Sequence, residues 1–161
     1  MSTFYRNLNP VPARTAPQWL AGQKALVTGA NSGIGRAVAI ALGQADADVV
    51  VNFVEGDEAA QDVVKDIERS GSKAYAARAD VSSESDVALM FARMFKVFGT
   101  IDILVNNAGI QRDAPIQHMS LEQWNAVLNV NLTGQFLCSQ AAIENSYAEV
   151  SCGPSPAQPE R

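Results

Sequence analysis

Three glycines in a fixed pattern, Gly29-x-x-x-Gly33-x-Gly35, follow the apolar burst Lys24 to Thr28 and run straight into a helical pattern. Glycine lets the chain turn tightly and lets a bulky anion approach the backbone. The unpaired N–H groups of the next helical turn then supply donors and a positive dipole end. Such a turn suits a phosphate or pyrophosphate, with Asn31, Ser32 and Ile34 as the intervening positions against the ligand; a Gly-rich turn with no ligand is the alternative. Polar residues recur at the ends of later apolar bursts: Asp80-Val81, then Asn106-Asn107-Ala108-Gly109. Asp80 could equally cap the turn that follows it, and Asn106 and Asn107 could be turn formers. Asn131 stands in the middle of a helical pattern, where its propensity is poor and the plain reading is a side chain facing water.

Those residues need elements to position them. Short apolar bursts at Lys24 to Thr28, Asp48 to Phe53, Lys73 to Ala77 and Ile101 to Val105 alternate with longer amphipathic segments. Three of the four are rich in Val, Ile or Leu, as parallel strands buried on both faces should be. Helices are expected over Gly33 to Leu42, closing near Gly43, and over Glu58 to Arg69, ending at Ser70-Gly71. A third starts from a cap at Ser82, Ser83 or Ser85. Its positions Val87, Met90, Phe91, Met94, Phe95 and Phe98 recur at helical spacing and stop at Gly99, which reads as packing against a sheet. The fourth begins near Ser120, with Leu121, Trp124, Val127 and Leu128 early and Phe136 and Leu137 later. The expectation is an α/β fold: a Rossmann-like doubly wound parallel sheet, truncated after the fourth strand and fourth helix. Strand order 3-2-1-4 would put the switch point, and so the ligand, at the C-terminal ends of the first and fourth strands.

The chain has 161 residues, 47% of them hydrophobic and 18% charged, with a net charge of -5. That is enough for one domain with a core and is unlike a disordered chain. Twelve basic residues spread among 17 acidic ones form no basic stripe, which argues against a nucleic-acid partner. Cys138 and Cys152 make no disulfide framework and share no metal-ligand spacing with His118. No window is apolar enough to span a membrane, and cytoplasmic location is the expectation. Six of the seven prolines lie at Pro10, Pro12, Pro17, Pro154, Pro156 and Pro159. An irregular arm over 1–21, a dinucleotide-binding Rossmann half over 22–142 and an irregular tail over 143–161 follow. Trp19 and Trp124 read as packing residues, Cys138 as a packed thiol and His118 as solvated.

Thr28-Gly29-x-x-x-Gly33-Ile34-Gly35, Asp80-Val81, Asn106-Asn107-Ala108-Gly109 and Asn129-Val130-Asn131-Leu132-Thr133-Gly134, in that order, resemble the short-chain dehydrogenase/reductase family. The flavour is that of its 3-oxoacyl-reductase and glucose 1-dehydrogenase branches, and the likeness covers about residues 21–142. The resemblance implies a nicotinamide dinucleotide as cofactor and a small carbonyl or alcohol substrate. It implies that Gly29, Asn31, Ser32, Gly33, Ile34 and Gly35 bind the pyrophosphate. Asp80, with Val81 beside it, would accept from the adenine amino group, and Asn106, Ala108 and Gly109 would line the cofactor groove. Asn131 would belong to the catalytic tetrad, helping to hold a water in the proton relay. Homo-oligomers built through the fourth and fifth helices are implied as well.

The remaining tetrad members of the family are a Ser and a Tyr-x-x-x-Lys pair, in which the lysine lowers the tyrosine pKa so that it can exchange a proton at the substrate oxygen. Here Tyr147 is followed four residues later by Ser151, and no lysine follows Lys96. The expectation is therefore a cofactor-binding portion of an NAD(P)-dependent oxidoreductase that is inactive by itself. A non-catalytic nucleotide-binding fragment, or a chain acting through subunit interaction, is the alternative. Cofactor choice is read at the end of the second strand, where Asn52-Phe53-Val54 offers neither acid nor base. In NAD-preferring members of the family an acidic residue would align with Phe53. The balance leans to NADP, with Arg36 as a candidate phosphate partner and use of both NADP and NAD as the alternative.

Overall fold

The computed structural model describes residues 18–148. Four parallel strands, β1 (Lys24–Val27), β2 (Asp48–Phe53), β3 (Ala74–Arg78) and β4 (Ile103–Val105), lie in the order β3-β2-β1-β4. The expected switch point between β1 and β4 is therefore present. Registers pair Val27 with Val51 on one side and with Val105 on the other, and Phe53 with Arg78.

Alternate side chains of each strand feed opposite layers. Ala25, Val27, Val49, Val51 and Phe53 pack with α1 (Gly33–Gln44) and α2 (Asp57–Glu68). Leu26, Val50 and Ala77 pack on the other face with Val87, Met90, Phe91 and Met94 of α3 (Glu84–Phe98), whose Met and Phe stripe is core as expected. β4 departs from the reading of strands buried on both faces. With β1 as its only neighbour in the sheet among the described residues, all three of its residues remain half-exposed.

The caps show which local signals decided the boundaries. Ser83 is the residue that caps α3, its hydroxyl accepting from the N–H of Asp86, and Gly99 ends that helix in the left-handed region. α4 (Leu121–Leu128) opens on a reciprocal box: Gln123 N–H donates to Ser120 Oγ at 3.1 Å and Ser120 N–H to Gln123 Oε1 at 2.9 Å. Gly43 is not a terminator. It lies inside α1, where an added Cβ would sit 2.6 Å from Ile67 Cγ2, and the helix ends at Gln44 with Ala45 as its cap. Its glycine is thus explained by the close approach of α2.

The helix expected from Ser120 is interrupted by a π-helical turn at Asn129–Thr133 and continues as α5 (Gly134–Ala148). It runs six residues beyond the expected boundary at 142, because nothing in Ile143 to Ala148 breaks a helix. The rest of the expected arm and tail, with Cys152, lies outside the described residues. Trp19 and Trp124 are not packed: they are 79% and 51% exposed. Cys138 is fully buried against the sheet and His118 is exposed. Among the described residues no helix is long and apolar enough to cross a membrane.

Candidate functional site

The Gly-rich turn leaves the C-terminal end of β1 and becomes the first turn of α1. Gly29 and Gly33 both have positive φ, 59° and 55°. Gly29 must also stay bare because its Cβ would lie 3.0 Å from Ala108 Cα. At Gly35 a Cβ would collide with Asn107 Nδ2 and the Gly29 carbonyl. These contacts make glycine a requirement of packing at 29 and 35.

Two residues that sequence reasoning left unassigned hold this turn. Asn52, buried in β2, accepts the Gly29 N–H on Oδ1 at 3.1 Å and donates from Nδ2 to the carbonyls of Ala77 and Ala79. Its main-chain carbonyl takes the Ala30 N–H at 2.7 Å. Thr28 Oγ1, also buried, accepts the N–H groups of Asn107 and Ala108, each at 2.9 Å, and so pins the end of β4 to the end of β1. Asn107 adds bonds from Nδ2 to the carbonyls of Thr28 and Gly29. The available signal was a polar residue set at the end of an all-apolar strand, since a buried polar group is retained where it finds partners.

With Gly29 and Ala30 committed, the unpaired donors are farther along. Among the described residues the first-turn N–H groups of Gly33, Ile34 and Gly35 have no protein acceptor, and the Ser32 hydroxyl makes no capping bond. No protein atom lies within 4 Å of a Cβ built on Gly33. Ile34 is 77% exposed beside this opening. Asn31 faces sideways, its amide donating to the Glu55 carbonyl at 2.7 Å.

Asp80 follows β3 on the same edge of the sheet. Its Oδ1 accepts from the N–H and hydroxyl of Ser82 at 2.9 and 2.7 Å, so the turn-capping alternative is real. Oδ2 has no protein partner among the described residues and remains for a ligand. Val81 has its side chain buried against Gly134, which leaves only its backbone for the groove. Asn106 donates to Ser139 Oγ at 3.0 Å and to the Gln135 carbonyl at 3.4 Å, tying β4 to α5.

Asn131 does not face water. Its Oδ1 accepts the Ile110 N–H at 2.8 Å and its Nδ2 donates to the Ile110 carbonyl at 3.0 Å. The π-turn is where this clasp forms, and Gly109 lies beside it with room for a Cβ at ordinary contact distance, 3.4 Å from Asn131 Oδ1. The pair borders an open cavity of about 260 Å³ that Met119, Trp124 and Val127 also line. Arg36, the expected phosphate partner, is instead paired with Asp66 of α2 at 3.0 Å. Cys138 is no nucleophile, because burial pushes its thiol up to about 11.

Comparison with known proteins fits this geometry. A 3-oxoacyl-[acyl-carrier-protein] reductase of Synechocystis is 46% identical over 122 residues, which make up 76% of this chain and 49% of that protein. The crystal structure of a short chain dehydrogenase from Burkholderia cenocepacia, in complex with NADP, matches with a TM-score of 0.76 at 41% identity. That match covers 78% of this chain and 51% of the other. The chain spans about half the length of these relatives. The family model for short chain dehydrogenases matches residues 23–151, from the start of β1 through the turn, both clasps and α5. On that match, which takes in most of its length, the chain belongs to the short chain dehydrogenase family.

Proposed function

We propose that this chain is the dinucleotide-binding portion of an NAD(P)-dependent oxidoreductase acting on a small carbonyl or alcohol substrate. The observation that carries this reading is the set of unpartnered donors at Gly33, Ile34 and Gly35, at the C-terminal end of β1 beside the switch point. A pyrophosphate suits the bare backbone there, with Ser32 Oγ as a further donor. Asp80 Oδ2 would take the adenine amino group, and the Asn106 to Gly109 segment would form the floor beneath the other half of the cofactor. When bound, the nicotinamide supplies or accepts the hydride. The chain's own residues bind and orient: Asn52 and Thr28 hold the turn, and Asn131 holds the Ile110 main chain. Each amide atom of Asn131 makes one bond to Ile110, which fixes the side chain against that loop and leaves one further proton and lone pair on it.

NADP is the preferred cofactor in this reading, with NAD the alternative, since no carboxylate replaces Phe53 at the end of β2. The relative from Burkholderia was solved with NADP, which supports it. Titrating the purified chain with NADPH and NADH tests the reading. Binding that weakens in Asp80→Asn while the circular dichroism spectrum is kept supports it. Absence of binding to either nucleotide in a folded chain overturns it.

A second reading, association of two copies, is favoured by a row of exposed apolar side chains running from the end of α4 through the π-turn into α5: Leu128, Leu132, Phe136 and Ile143. Leu132 and Phe136 are 64% and 62% exposed and one turn apart, a face that water penalises. Sedimentation of the wild-type chain against Phe136→Asp tests it, a shift to monomer being the expected result.

A further inference from the structure

We propose that Arg78 is the residue that reads the 2' position of the cofactor's adenosine ribose, taking a 2'-phosphate on its guanidinium. This rests on the reading that the chain binds a nicotinamide dinucleotide and adds which side chain sets its preference.

The other basic groups near β2 are engaged or, like Lys73 just before β3, lie at the opposite end of the sheet. Arg36 is paired with Asp66, as is Arg69, and Lys65 is paired with Asp62. Lys24 is paired with Asp48 at the N-terminal end of the sheet, opposite the ligand edge. Arg93 lies over the Tyr75 ring. Arg78 is different: it is exposed, ends β3 on the C-terminal edge and is in none of the ion pairs among the described residues.

Its placement is also fixed. Arg78 pairs in register with Phe53, and its Nε donates to the carbonyl of Val54 at 3.1 Å. The next carbonyl, Glu55, receives the Asn31 amide from the Gly-rich turn at 2.7 Å. The exit of β2 is thus held from one side by the turn that would take the pyrophosphate and from the other by Arg78. A dinucleotide reaching from that turn to Asp80, just past β3, must carry its ribose across this exit. Anchoring through Nε leaves the two terminal nitrogens of the guanidinium as a fork, the geometry that suits a phosphate. Glu55, Asp57 and Glu58 are exposed on the same rim and oppose a phosphate. Arg78 is the group positioned to outweigh them.

The test is titration of the purified 161-residue chain with NADPH, NADH, adenosine 2',5'-bisphosphate and 5'-AMP, in the wild type, Arg78→Gln and Arg36→Gln. The expected result is tighter binding of the 2'-phosphorylated member of each pair. In Arg78→Gln that advantage falls about tenfold or more, with NADH affinity kept; in Arg36→Gln it persists. An advantage unchanged in Arg78→Gln, or lost in Arg36→Gln, overturns the assignment while leaving cofactor binding intact, as does tighter binding of NADH by the wild type. Failure of all four ligands to bind overturns the assignment together with the cofactor reading beneath it.

Discussion

The Oδ1 atom of Asn52 accepts the N–H of Gly29 at 3.1 Å. A buried side chain of β2 thereby holds the Gly-rich turn that leaves β1. The same amide is bonded to β3 through Ala77 and Ala79, so three neighbouring segments share one polar group at the ligand edge of the sheet. Its replacement by a hydrophobic residue would leave the Gly29 N–H without its acceptor next to the proposed pyrophosphate position.

Asn52→Leu is expected to cost about 2 kcal/mol or more, since buried donors and acceptors lose partners at roughly 1 to 3 kcal/mol each. Urea denaturation measures this, and NADPH affinity should fall with it. A variant as stable as wild type would show that the clasp is not needed.

Thr28→Val keeps the shape of the side chain but removes the acceptor of the Ala108 N–H and leaves the Asn107 N–H to the Val105 carbonyl alone, and a loss of about 1 to 2 kcal/mol is expected. Thr28→Ser keeps the oxygen and should recover most of that difference. If Ser is no better than Val in the same denaturation experiment, the hydroxyl does not pin β4 to β1.

Gly43→Ala should destabilise, although alanine is favoured over glycine in a helix interior by about 1 kcal/mol. The added methyl would meet Ile67 Cγ2 at 2.6 Å, and overpacking costs about 1 to 3 kcal/mol. Combining it with Ile67→Ala opens the space, so the double variant should lose less than the sum of the singles. Strict additivity in thermal unfolding would argue against the contact.

Burial raises the Cys138 thiol to about 11 in the folded chain, whereas an unfolded cysteine ionises near pH 8.5. A raised pKa in the fold means that this group's contribution to stability is complete below about pH 8.5 and is lost as pH rises towards about 11. In a Cys152→Ser background, Cys138 should react slowly with a thiol reagent at neutral pH until denaturant is added. The fall in stability between pH 8.5 and 11 should shrink in Cys138→Ala. Rapid labelling of the native chain would contradict its burial.

Much of the frame is legible from order and spacing. Four apolar bursts separated by amphipathic stretches determine a parallel sheet, because crossover rules leave few arrangements, and the strand order 3-2-1-4 follows. Gly29, Gly33, Gly35 and Asp80 stand out because each combines an unusual residue type with a strand end. What only the tertiary structure decided are contacts between residues far apart in the chain. Gly43 reads locally as a helix stop, yet α2 packs on it through Ile67. Trp124 and Phe136 follow an apolar helical period, yet both remain more than half exposed. Arg36 is turned from the ligand edge by Asp66, thirty residues away. Asn131 is turned from water by Ile110 through a π-turn that no local propensity announces. Periodicity records which faces are apolar, whereas the partner of a buried amide or a charged side chain is set by where distant segments meet in space.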